Sequence, residues 1–186
     1  AVLLHLMALP QIALLLSQGC SVYLPMEGGR EVNTWPIVAK IFSNTHEGGG
    51  VYVPLVTGGK AMDMSMLRAN SEAELRALPL DNWRIPKPPM DWIDLRLDAA
   101  VTGDIGVILV PGVAFDGKCN RLGHGKGYYD AFITRVTEMR AARKMSPPVT
   151  IGLALGPQIV EAVPVGAMDR QLDFVICPDR VICAEK

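Results

Sequence analysis

The residues best suited to chemistry lie in one stretch, Arg121-Leu-Gly-His-Gly-Lys-Gly-Tyr-Tyr-Asp130. Three alternating glycines, Gly123, Gly125 and Gly127, open backbone conformations that other residues avoid and let main-chain amides approach a ligand. Lys126 to Met145 has helical character, so the glycines run straight into a helix N-terminus, where free amides and the helix dipole favour phosphate oxygens. Arg121 and Lys126 add positive charge. Asp130 is placed to hold Mg²⁺, an ion that binds through one or two carboxylates together with substrate phosphates. The stretch lacks the GK[ST] of a Walker A loop, and it does not follow the first strand as a dinucleotide-binding GxGxxG would. A glycine-rich turn that only packs a strand against a helix stays open as the plainer reading.

The elements that must hold this loop alternate. Short apolar runs at Ser21 to Leu24, Gly50 to Pro54, Ile105 to Val110, Thr150 to Leu155 and Leu172 to Ile176 predict strands, and their apolar character suits a sheet covered on both faces. Helices are predicted over Thr34 to Ser43, over Ser71 to Leu78, where Ser71 and Glu74 have capping-box spacing, and over Lys126 to Met145. In the last, Tyr129, Phe132, Ile133 and Val136 recur at helical spacing and leave Arg135, Glu138 and Arg140 for solvent. Leu78 to Asp91 holds four prolines and predicts an extended excursion. The apolar opening through Leu16 reads as a buried first helix, since it has no basic leader and is too short to span a bilayer. The expected architecture is α/β: one three-layer α/β/α domain over residues 1–186 with a mostly parallel central sheet.

Composition narrows the function classes. Hydrophobic residues make up 49% and charged residues 20%, and 18 Lys plus Arg nearly balance 19 Asp plus Glu, for a net charge of -1. That balance gives no broad footprint for nucleic acid or an anionic membrane. Cys20, Cys119, Cys177 and Cys183 form no CxxC pair and no metal-ligand spacing with the histidines, so they read as reduced thiols of a cytoplasmic protein.

The residues from Pro111-Gly-Val-Ala-Phe-Asp116 through Asn120 to Asp130 resemble the signature of the 5-formyltetrahydrofolate cyclo-ligases, also called methenyltetrahydrofolate synthetases. The resemblance continues through Val22-Tyr-Leu-Pro-Met26, Glu31-Val-Asn-Thr34, Met62-Asp-Met64, Trp83-Arg-Ile-Pro-Lys-Pro88 and Val163-Pro-Val with Asp169 and Asp173, in the family's order. It implies an ATP- and Mg²⁺-dependent conversion of 5-formyltetrahydrofolate to 5,10-methenyltetrahydrofolate by a monomeric enzyme of the cytoplasm or mitochondrion. By position, Arg121, Leu122, Gly123, His124, Gly125, Lys126, Gly127, Tyr128 and Tyr129 would contact ATP, with Arg121 and Lys126 countering phosphate charge during the reaction. Met26, Asn33, Trp83 and His124 to Tyr128 would face the folate, and Asp130 and Asp169 would bind Mg²⁺.

Two departures modify that expectation. The family opens on a basic helix, whereas residues 1–26 contain no Lys or Arg, so the sequence is expected either to be a fragment of a longer product or to bind nucleotide poorly, and a truncated, non-catalytic folate- or nucleotide-binding relative is the second reading. Asn33 stands where the family commonly has a carboxylate, which keeps hydrogen bonding and loses charge. A sugar-phosphate isomerase or acyl-CoA transferase on a similar layered fold is a distant third reading, since no motif of either is present.

Overall fold

The computed structural model describes residues 1–9, 12, 18–29, 31–44 and 50–185. Its centre is a seven-stranded sheet in the order β10-β9-β7-β4-β1-β2-β3. The strands are β1 (Cys20–Ser21), β2 (Val51–Val56), β3 (Met64–Ala69), β4 (Val107–Val110), β7 (Val149–Leu153), β9 (Phe174–Ile176) and β10 (Val181–Cys183). β9, β7, β4, β1 and β2 run parallel, and β3 and β10 close the two edges antiparallel. These five parallel strands are the five apolar runs expected from sequence. A second, three-stranded sheet in the order β6-β5-β8 is built from β5 (Ala114–Asp116), β6 (Arg121–Leu122) and β8 (Ile159–Val160).

Alternation along the central strands explains the layering. On β4, Val107 and Leu109 face one core while Ile108 and Val110 face another, and all four are fully buried. The first core is covered by α1 (Val2–Ala8), α2 (Trp35–Asn44), α3 (Glu72–Arg76) and Trp92 of α4 (Trp92–Leu95). The second is covered by α5 (Ala99–Thr102) and α6 (Tyr128–Ala142), which inserts Phe132, Ile133 and Val136. Each of these side chains contributes about 1.5–3 kcal/mol by leaving water. The result is the α/β/α sandwich that the periodicity implies.

Several expectations need adjustment. α1 is not buried throughout: Leu6 is fully enclosed but Leu4 is 74% exposed, so one face packs and the other meets solvent; its expected continuation towards Leu16 falls largely outside the described residues. The Ser71 hydroxyl caps Glu74 N–H at 3.0 Å as expected, yet the Glu74 carboxylate reaches Asn70 N–H at 2.7 Å, one residue before the Ser71 amide of a closed capping box. Arg140 does not face solvent. It is 2% exposed, because its guanidinium donates to the carbonyls of Ser146, Gly103 and Ile105 and to Gln18 Oε1. Arg135 is half-buried and donates to the Met64 carbonyl, which leaves Glu138 as the exposed member of the three. The proline-rich segment is non-helical as expected but not extended throughout, since it folds back through a turn at Asp81–Arg84 that sets an antiparallel bridge between Leu80 and Pro86.

Candidate active site

Sheet order locates the site before any side chain does. From β1 the chain moves through α2 to β2 on one side, whereas β4 leads to β7 and β9 on the other. The loops leaving the C-terminal ends of β1 and β4 therefore diverge, and the crevice between them is where open α/β sheets hold ligands. The loop after β1 carries Met26, Glu31 and Asn33. The segment after β4 carries β5 and β6 of the small sheet, the glycine loop and the start of α6.

The glycine loop is shaped by its own residues. Gly125 and Gly127 have φ of 76° and 68°, in the left-handed region that a side chain penalises, and Gly127 is the residue from which α6 begins. At Gly123 a Cβ would lie 2.5 Å from Arg121 Nη1, so the guanidinium folds back against the loop. Its Nη2 lies 2.7 Å from Asp130 Oδ2, and both side chains are largely buried. Asp130 Oδ1 accepts Arg170 N–H at 3.0 Å, which draws the segment carrying the exposed Asp169 to the head of α6. Asp169 in turn accepts Gly166 N–H at 2.7 Å. His124 and Lys126 are exposed on the loop. Beyond Gly127 the first amides of α6 have no intrahelical acceptor and are available to an anion.

Tyr128 and Tyr129 have different surroundings. The Tyr128 hydroxyl donates to the Gly58 carbonyl at 2.7 Å, joining α6 to the turn between β2 and β3. The Tyr129 hydroxyl is buried with no hydrogen-bond partner among the described residues, and the same holds for Arg121 Nε, whose guanidinium lies 5.9 Å from the Tyr129 ring centre. Burial pushes the Tyr129 phenol well above its ordinary range; the Arg121 charge opposes this and Glu31 adds to it. Tyr23 is raised likewise by burial, by Glu31 and by Tyr129. The end of β1 and the head of α6 are thus close enough for their charges to act on one another.

In the loop after β1, half-buried Met26 donates its N–H to Glu31 Oε1 at 2.8 Å. Asn33 is exposed, and its Oδ1 accepts Trp35 N–H at 3.1 Å, so it caps the start of α2. The carboxylate whose charge acts on both Tyr23 and Tyr129 is Glu31, two residues before the position singled out from sequence. Trp83 is 72% exposed on a turn organised by Asp81, and the neighbouring Arg84 pairs with Glu27, which brings that turn beside the Met26 loop.

Asp116 was also missed by sequence reasoning. It is 3% exposed; Oδ1 accepts Lys118 and Asn120 N–H at 2.9 and 3.0 Å, and Oδ2 accepts Asn120 Nδ2 and Val163 N–H at 3.0 and 3.1 Å. It holds the turn that delivers Arg121. Its signal was available, since Asp116 and Asn120 both lie in the signature, four residues apart. Among the described residues no three His, Cys, Asp or Glu side chains cluster to hold a metal by themselves. Both Asp130 oxygens already accept hydrogen bonds, from Arg121 and from Arg170 N–H, so an Mg²⁺ shell at Asp130 and Asp169 would have to draw most of its oxygens from phosphate and water.

The 5-formyltetrahydrofolate cyclo-ligase family model matches residues 1–178. The mouse 5-formyltetrahydrofolate cyclo-ligase is 34% identical over 163 residues, 88% of this chain and 74% of that protein. A Caenorhabditis elegans protein named "Probable 5-formyltetrahydrofolate cyclo-ligase" is 36% identical over 162 residues, 86% of this chain and 72% of that one. The solved structure of Aquifex aeolicus 5,10-methenyltetrahydrofolate synthetase superposes with a TM-score of 0.67 at 27% identity, covering 100% of this chain and 80% of that one. With the signature loop standing at the crevice between β1 and β4, the chain belongs to the 5-formyltetrahydrofolate cyclo-ligase family.

Proposed function

We propose that this chain closes the ring of 5-formyltetrahydrofolate to 5,10-methenyltetrahydrofolate, using ATP and releasing ADP and phosphate. The observation that carries this reading is the glycine loop. Its left-handed Gly125 and Gly127 lead into the N-terminus of α6 with Lys126 exposed beside them. Such a loop would cradle an anion, and the half-buried Met26 on the loop after β1 would supply an apolar contact.

The chemistry needs positioning more than covalent help from the protein. The formyl oxygen attacks the terminal phosphorus and the bond to ADP breaks. N10 then attacks the activated formyl carbon, the C–O bond breaks, and phosphate leaves as N10 gives up its proton. An amide oxygen leaves poorly by itself, whereas phosphate leaves readily. The loop amides and Lys126 would hold the phosphates. Arg121, already clasped to Asp130, would act through its fixed position as much as its charge. Asp130 and Asp169 would hold Mg²⁺, which supplies countercharge to the phosphates when bound. Met26 and Glu31 would lie along the folate, with Trp83 at its periphery; Asn33 serves mainly to cap α2. Four free thiols suit a reducing compartment, cytoplasmic or mitochondrial, and the reading takes the enzyme as a monomer.

The test is to incubate the purified chain with 5-formyltetrahydrofolate and Mg²⁺, with and without ATP, and to follow methenyltetrahydrofolate by absorbance. ATP-dependent product is expected. Binding of both ligands without product would leave a binding protein on this fold.

A further inference from the structure

The turn between β2 and β3 lies against the glycine loop. Gly58 carbonyl oxygen receives the Tyr128 hydroxyl at 2.7 Å, and Ala61 Cβ is 3.5 Å from where a Cβ on Gly127 would stand. The turn is a built one. Asp63 Oδ2 accepts Lys60 N–H at 2.9 Å, Asp63 N–H returns to the Lys60 carbonyl at 2.9 Å, and a Cβ on Gly58 would meet Asp63 Oδ2 at 2.3 Å. Lys60, next to Ala61, is exposed. Lys60 and Lys126 are therefore rooted on either side of Gly127, on two different elements.

Neither lysine forms an ion pair among the described residues. The nearby carboxylates are already engaged: Asp63 by its own turn, and Asp130 by Arg121 and Arg170 N–H. Like charges gathered without a countercharge repel, and the arrangement is relieved by an anion bound between them.

We propose that Lys60 is a phosphate-binding residue of the nucleotide site, acting across the glycine loop from Lys126. The proposal rests on the reading above that ATP occupies this loop. The hairpin supplies one wall of the site, and the Tyr128–Gly58 hydrogen bond sets how far that wall stands from the helix N-terminus. The predicted contact is charge-assisted and exposed to salt.

Calorimetric titration of ATP into the wild-type chain and into Lys60→Ala, Lys60→Arg and Lys60→Glu tests it, with KM for each substrate measured alongside. An exposed turn lysine can be replaced without loss of fold, which circular dichroism checks. Expected are roughly tenfold weaker ATP binding in Lys60→Ala, a larger loss in Lys60→Glu, near-complete rescue in Lys60→Arg, and a KM change confined to ATP. Unaltered ATP affinity in Lys60→Ala, beside a wild type that binds ATP, would overturn the proposal alone. So would a rise in KM for the folate alone, which would assign the lysine to a folate carboxylate. A wild type that binds no ATP would overturn both this proposal and the reading beneath it.

Discussion

Arg121 Nη2 and Asp130 Oδ2 stand 2.7 Å apart across the glycine loop, so two residues that sequence assigned to separate tasks form one buried clasp. Removing one partner leaves the other charge enclosed. Asp130→Ala is expected to cost about 3 kcal/mol of stability, with part recovered in Asp130→Asn, which still accepts a hydrogen bond. Urea unfolding of the variants measures it; a loss well under 1 kcal/mol would mean that solvent reaches the pair.

Asp116 gives a pH signature. Burial alone would raise its carboxyl, but hydrogen bonds from Asn120, Val163 and Lys118 outweigh burial and hold it below the usual carboxylate range. A folded pKa below the unfolded one means the contribution is complete above the unfolded value and is lost as pH falls through the folded value. Asp116→Asn should therefore lose about 1–2 kcal/mol at neutral pH and show a shallower acid limb below about pH 4. Parallel acid limbs in denaturant titrations would contradict this.

Gly127→Ala and Gly117→Ala make a matched pair. Gly127 holds a left-handed φ of 68°, whereas Gly117 does not and has open space around it. The first change should cost about 1–2 kcal/mol and weaken ATP binding; the second should do neither. Equal effects would remove the conformational argument for the loop.

Arg140 is the strongest stability prediction outside the site. Arg140→Met takes the guanidinium donor from the Ser146 and Ile105 carbonyls and Gln18 Oε1, while Gly103 keeps the Ile105 N–H, at a cost of about 3 kcal/mol. Turnover per folded molecule should not change. Burial pulls this guanidinium below its ordinary pKa, yet arginine stays charged at any working pH.

Tyr129→Phe is expected to have the opposite sign. The hydroxyl is buried without a hydrogen-bond partner among the described residues, so its removal should leave stability unchanged or raise it by about 1 kcal/mol. Weaker ATP binding in the same variant would show that ligand supplies the missing partner.

What the sequence made legible follows from where its information lies. The five parallel strands are contiguous apolar runs buried on both faces, so composition alone marks them. β3, Met-Ser-Met-Leu-Arg-Ala, has no β-branched residue and exists through its pairing with β2. The strands of the small sheet are two or three residues long and owe their form to tertiary contacts. The glycine loop was readable because its glycines and charged residues are consecutive. Glu31 and Lys60 were not, because only the fold brings their segments to it. Arg140 was misassigned for the same reason: helical periodicity gives its face, but not the Gly103 and Ile105 carbonyls waiting there.

The register that pairs Cys20 with Val107 and Ser21 with Ile108 has a kinetic meaning. It joins the two divergent halves of the sheet through strands far apart in sequence, and such contacts form only after a large loop has closed. The ligand crevice lies at that seam. The crevice is therefore complete only once both halves of the sheet have docked.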